Sequence, residues 1–216
     1  MTAIKGALRY SYVALEGLIG AGKTTLARRL ATDWNGRLVL EEFDDNPFLP
    51  RFYEEPERYA FSVELSFLAQ RYHQLKRMTE QDLFSTCTIA DYSIGKSLVF
   101  GGVTLAQDEA ALFNDLYTIM YGDLPRPELI VYVYLSMDRV QERIKARGRS
   151  YEQRIGIEYL EKLQERYLDH LQKLTGQRVL VIDLQEKDLL QDADAYEALR
   201  TLLQAEHPPE YGVVRL

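Results

Sequence analysis

The stretch Gly17-Leu18-Ile19-Gly20-Ala21-Gly22-Lys23-Thr24 constrains this chain more than any other part of it. It fits G-x-x-x-x-G-K-[ST], the pattern of a phosphate-binding loop (P-loop) that joins a buried strand to a helix. Each position has its own physical reason. Glycines let backbone N–H groups curl around phosphate oxygens with no Cβ in the way. The helix that follows turns its positive N-terminal end toward the same anion. Lys23 then reaches the β- and γ-phosphates of a nucleotide triphosphate such as ATP, and the Thr24 hydroxyl takes a place on Mg²⁺. The contacting set is Gly17, Gly20, Ala21, Gly22, Lys23, Thr24 and Thr25. Context agrees, because an apolar run at 10–15 precedes the loop and a helix-period pattern at 23–34 follows it.

That alternation continues. Apolar, β-rich runs at 10–15, 38–41, 86–90, 129–135 and 179–184 are nearly continuous, as strands buried on both faces are. Helical patterns fall at 23–34, 57–78, 105–121, 137–146, 158–174 and 193–205. Strand–helix alternation predicts an α/β fold of the P-loop NTPase type, a five-stranded parallel sheet flanked by helices. Residues 1–216 read as one domain, with loops at 43–51, 101–104, 148–156 and after His207. The net charge of −7 speaks against nucleic-acid or anionic-membrane partners, which need a basic field. A single cysteine, Cys87, excludes an internal disulfide and fits a buried small residue in a reducing cytoplasm. The N-terminus lacks the apolar segment of a signal peptide, and no run approaches the ~20 residues of a membrane span. These features predict a cytoplasmic protein with small-molecule partners.

A P-loop does not name the chemistry. A guanine-reading N-K-x-D is absent, and the D-x-x-G at 33–36 comes too soon after the loop to be a switch. A small acceptor kinase remains. Further motifs are Glu41-Glu42-Phe43-Asp44-Asp45-Asn46-Pro47 at a strand end and Phe52-Tyr53-Glu54-Glu55-Pro56-Glu57-Arg58 leading into a long helix. A third runs Arg143-Ile144-Lys145-Ala146-Arg147-Gly148-Arg149-Ser150-Tyr151-Glu152-Gln153. With the P-loop, these resemble the deoxynucleoside kinase family, the bacterial purine-type members above all, over about residues 12–184.

The resemblance implies transfer of the ATP γ-phosphoryl to the 5′-hydroxyl of a deoxynucleoside, in nucleotide salvage, by a homodimer. Glu41 matches the family's catalytic carboxylate, and its predicted place at a strand end beside the P-loop strand faces the crevice where such sheets bind ligands. Glu42 is the reserve candidate one register away. Arg147 and Arg149 match the lid that closes over ATP, with Arg143 one helical turn before Arg147 on the same face. Guanidiniums there meet the charge that builds in the transition state. Glu152 and Tyr53 match the sugar-holding pair. Phe61, Glu64, Leu68, Arg71 and Leu75 form one helical stripe in which two charges interrupt an apolar face. Glu64 and Arg71 match the base-reading positions.

Two departures stand out. Relatives usually carry glutamine where this chain has Glu64. An ionised carboxylate only accepts hydrogen bonds, so donor-rich purines are favoured and thymidine is disfavoured. At Asp91-Tyr92-Ser93 the family's arginine is missing. Asp91 keeps a carboxylate suited to Mg²⁺ beside Thr24, and Lys96 supplies the absent charge if its segment is helical. Two other readings stay open from sequence: a thymidylate-kinase-like nucleoside-monophosphate kinase, and a non-catalytic nucleotide-binding module.

Overall fold

The computed structural model describes residues 7–42, 46–78 and 84–216. Its strands are β1 (Tyr12–Glu16), β2 (Arg37–Val39), β3 (Thr88–Ala90), β4 (Leu129–Tyr134), β5 (Arg178–Asp183) and β6 (Tyr211–Arg215). All pairings are parallel, in the order β2-β3-β1-β4-β5-β6. The helices are α1 (Lys23–Asp33), α2 (Leu49–Glu54), α3 (Pro56–Arg77), α4 (Lys96–Thr104), α5 (Gln107–Tyr121), α6 (Met137–Arg147), α7 (Ile157–Gln172) and α8 (Ala193–Gln204). A 3₁₀ turn spans Glu152–Arg154. None of the described helices is long and apolar enough to cross a membrane.

The period of two along β1 divides the core. Val13 and Leu15 join the large cluster that includes Leu26, Leu30, Val131 and Leu163. Tyr12 and Ala14 point to the other face, where Leu68 and Leu75 of α3 and Phe113 and Tyr117 of α5 cover them. Every residue of β1 is buried, which is why the strand reads as an unbroken apolar run. From β1 the chain crosses to one side of the sheet, and from β3 it crosses back over β1 to β4. Loops leaving in opposite directions open a crevice at the C-terminal ends of these strands.

The sheet has six strands, not five. The sixth lies in the segment after His207 that reads as a tail, because an edge strand with partly exposed faces leaves no continuous apolar run. Strand β2 is separated from the P-loop strand by β3, so Glu41 is one strand further away than expected. The helical pattern at 105–121 starts later, at Gln107, because Leu105 is extended. Residues 101–104 belong to α4 despite two glycines. Gly101 packs against the Phe113 ring, from which an added Cβ would lie 3.1 Å. Of the predicted loop at 43–51, residues 43–45 lie outside the described residues and 49–51 open α2. The stretch 148–156 contains the 3₁₀ turn.

Candidate active site

The P-loop leaves β1 at Gly17, whose φ of +146° is open to glycine alone in practice. A Cβ there would sit 2.7 Å from the backbone oxygen of Val133 on β4. The Lys23 ammonium donates to Gly17 O at 2.8 Å and Leu18 O at 2.9 Å. Burial, with Lys96 nearby, pushes its pKa down to about 8 against the pull of Glu16, Glu41 and Asp91. From α6, Arg143 donates to Ala21 O at 3.3 Å and pairs with Asp188 at 2.9 Å. Arg139 fixes the same loop through Gln185 O and Lys187 O.

The next two strand ends are joined to the P-loop by one carboxylate. Asp91 Oδ2 accepts the Thr24 hydroxyl at 2.5 Å, and Asp91 Oδ1 accepts the Glu41 backbone N–H at 2.7 Å. This contact sets the register: Glu41 turns inward, whereas Glu42 is exposed and faces Arg77 at 3.5 Å. Glu41 Oε1 accepts from Arg71 Nε at 2.9 Å and Nη2 at 2.6 Å, and its Oε2 accepts from Lys96 Nζ at 2.5 Å. Burial pushes the Glu41 carboxyl up, but Lys96 and Arg71 outweigh it and hold the pKa down at about 2.

Lys96 is the first residue of α4; the stretch 92–95 before it is not helical, and Lys96 reaches Glu41 from the helix start rather than from one turn past Tyr92. Tyr92 is fully buried and donates to Gln74 Oε1 at 2.8 Å, away from Glu41. Sequence reasoning missed Glu16. Its Oε1 accepts from the Ser93 N–H at 2.8 Å and hydroxyl at 2.7 Å, and its Oε2 accepts from the Tyr167 hydroxyl. A carboxylate closing an otherwise apolar, fully buried strand was the available signal.

The other half of the cleft lies under α2, α3 and the 3₁₀ turn. Arg71 gives two donors to Glu41 and one to Ser97 Oγ at 2.7 Å, so it pairs with Glu41 rather than with Glu64. Glu64 is 3% exposed; its Oε1 meets Thr104 Oγ1 at 3.2 Å, and its Oε2 has no hydrogen-bond partner among the described residues. Desolvation pushes its pKa up to about 7, against the opposing pull of Arg71. Tyr53 stacks on Tyr151 with ring centroids 5.8 Å apart. Arg149 and Arg147 both meet Glu152 Oε1, at 3.1 and 3.4 Å, which brings together three residues of the predicted site. Glu152 Oε2 has no hydrogen-bond partner among the described residues. Lys23, Thr24, Glu41, Tyr53, Glu64, Arg71, Asp91, Arg143, Arg147, Arg149 and Glu152 all line one cleft of about 780 Å³. That volume is in the range of small-molecule sites.

The deoxynucleoside kinase family model matches residues 13–206. A deoxyguanosine kinase of Bacillus subtilis (strain 168) is 34% identical over 193 residues, covering 87% of this chain and 93% of its own. A deoxyadenosine kinase of Dictyostelium discoideum is 32% identical over 222 residues, covering 96% of this chain and 88% of its own. A solved structure of deoxyadenosine kinase from M. mycoides with bound dATP matches with a TM-score of 0.77 at 24% identity, over 90% of this chain and 100% of that one, a likeness of fold. The family model runs from β1 through α8 and takes in the whole cleft: the chain belongs to the deoxynucleoside kinase family.

Proposed function

We propose that this chain moves the γ-phosphoryl of ATP to the 5′-hydroxyl of purine deoxynucleosides, deoxyguanosine or deoxyadenosine, with thymidine a poor acceptor. The observation that carries the reading is the linkage Thr24–Asp91–Glu41–Lys96/Arg71, which ties a phosphate loop to a clamped carboxylate in one cleft. The names of the relatives and the Glu64 carboxylate support the purine preference.

In this reading the P-loop and Lys23 hold the ATP phosphates while Arg143, Arg147 and Arg149 approach from the lid. Thr24 and Asp91 offer adjacent hard oxygen donors, a fit for Mg²⁺. Phosphate oxygens and water would complete its shell, as Mg²⁺ commonly takes few protein ligands. Bound there, the ion would neutralise charge on the β- and γ-phosphates. Glu41 accepts a hydrogen bond from the 5′-hydroxyl and aims its lone pair at the γ-phosphorus. The new O–P bond forms as the bond to the β-phosphate bridging oxygen breaks. Held at about 2, Glu41 is too weak a base to remove the proton early, so it orients the hydroxyl and takes the proton late, once the forming O–P bond has made that hydroxyl acidic. Tyr53 and Glu152 hold the sugar, and Glu64 reads the base.

The reading extends to a cytoplasmic homodimer serving nucleotide salvage. Leu112 and Ile119, exposed by 53% and 78% two turns apart on α5, support self-association, which the mass in solution tests. The activity test is ADP release from ATP–Mg²⁺ with the four deoxynucleosides, their ribose counterparts and the deoxynucleoside monophosphates. Purine deoxynucleosides should exceed thymidine by roughly tenfold or more in kcat/KM, since an unpaired buried polar group penalises the wrong base. Turnover on monophosphates alone would replace this reading with a monophosphate kinase, and silence across the panel with a binding module.

A further inference from the structure

We infer that Glu64 makes the choice between the two purines depend on pH, its ionised form selecting guanine and its protonated form admitting adenine. The inference rests on the base-reading role proposed for Glu64 and gives that role a direction. On the edge that pairs in a duplex, adenine offers an amino donor beside the N1 acceptor. A carboxylic acid supplies the matching acceptor and donor. Guanine carries N1–H between its 2-amino group and O6, so a carboxylate supplies two acceptors to the two donors, while an acid can still meet N1–H and O6.

Both forms of Glu64 fit their surroundings. The Thr104 hydroxyl has one hydrogen and two acceptors within reach, Phe100 O at 3.0 Å and Glu64 Oε1 at 3.2 Å. It can donate to Oε1 in both states, because Oε1 is the carbonyl oxygen when Oε2 carries the proton toward the cleft. The second carboxyl oxygen, Oε2, has no partner among the described residues, and Glu64 lines the cleft. Desolvation brings the group to about 7, so both forms exist near neutrality.

The other charged and titratable groups around Glu64 do not imitate this switch. Arg71 on α3 stays charged, and Glu41, held near 2, stays ionised throughout. Lys96 on α4 faces Glu41, the group that both acceptors share. Tyr53 on α2 and Tyr159 on α7 are both pushed far above neutrality by burial. Lys23, near 8, lies on the P-loop and bears equally on either acceptor. Neither adenine nor guanine changes protonation near neutral pH.

The test is competition. Deoxyguanosine and deoxyadenosine are supplied together with ATP–Mg²⁺ and the ratio of the two monophosphates is read from about pH 6 to about pH 8, so effects common to both acceptors cancel. Full coupling changes the ratio about tenfold per pH unit around the Glu64 pKa. The expected result is a rise in the guanine-to-adenine ratio of at least about tenfold across the range. In Glu64→Gln, whose amide always offers one donor and one acceptor as the protonated acid does, the ratio should be flat and close to the parent's value at low pH. A flat ratio in the unaltered enzyme with a shifted one in Glu64→Gln overturns the pH switch and leaves base reading standing. A ratio that titrates equally in both assigns the effect to another group and also overturns it. A Glu64→Gln enzyme with the parent's selectivity at every pH removes the base-reading role itself.

Discussion

Residue 92 is a buried tyrosine, and the positive charge beside Glu41 comes instead from Lys96 at the start of α4, with Arg71 opposite. Each cation answers one carboxylate oxygen, which fixes the plane of the group as well as its charge. Replacing Lys96 by Met should therefore lower kcat by on the order of a hundredfold, as loss of one preorganised charged partner does, with the KM for ATP changing less than about threefold. Lys96→Arg should recover part of the loss. Steady-state kinetics with a thermal melt separate this from misfolding, and unchanged turnover in the Met variant would dispose of the role. The sequence made the P-loop, Glu41 and Glu64 legible because each sits at a strand end or on a helical stripe whose period is visible. The partner of Arg71 was not legible. Spacing places Arg71 and Glu64 on one helix face, but which carboxylate the guanidinium reaches depends on how α3 lies against the end of β2.

The element that carries the site is the unit β1, P-loop and α1, clamped against β4. Gly17 combines a φ of +146° with an approach of 2.7 Å between a would-be Cβ and Val133 O, and a backbone oxygen in a buried strand has little room to yield. Gly17→Ala should destabilise the protein by roughly 2 kcal/mol or more and abolish the rise in melting temperature that ATP–Mg²⁺ produces in the parent. Melts with and without nucleotide check both, and a parental melt with a parental ATP shift would show that β1 and β4 tolerate a wider spacing there. The same logic explains which elements could be read in advance. Strands buried on both faces announce themselves as apolar runs, and α1, α3, α6, α7 and α8 by their helical period. Strand β6 is an edge with Val213 exposed, and α4 contains Gly101 and Gly102, poor helix formers, of which Gly101 packs closely against Phe113. In both cases tertiary context decides, and a single-residue pattern is silent about it.

For the whole molecule, the cleft writes its charge arrangement into stability. Glu41 is more acidic folded than unfolded, so its contribution is present above its ordinary pKa of 4.5 and is lost as pH falls toward about 2. Glu64 runs the other way. Its folded pKa of about 7 lies above the ordinary 4.5, so the folded state binds its proton more tightly. Stability from that proton is complete below about 4.5 and drains away as pH rises to about 7. The difference corresponds to about 3 kcal/mol at full ionisation. Glu64→Gln cannot titrate, and every other group is common to the two proteins, so subtracting their stabilities isolates this one carboxyl. Urea unfolding of both proteins at a series of pH values should give a constant difference below about pH 4.5. Through neutrality the variant should gain about 3 kcal/mol on the parent, and the difference should level off above about pH 8. Because this readout needs no nucleotide, it tests the charge state of Glu64 independently of catalysis. A difference that stays flat with pH would mean that Glu64 titrates as an ordinary carboxyl, and the choice between adenine and guanine would then have no proton behind it.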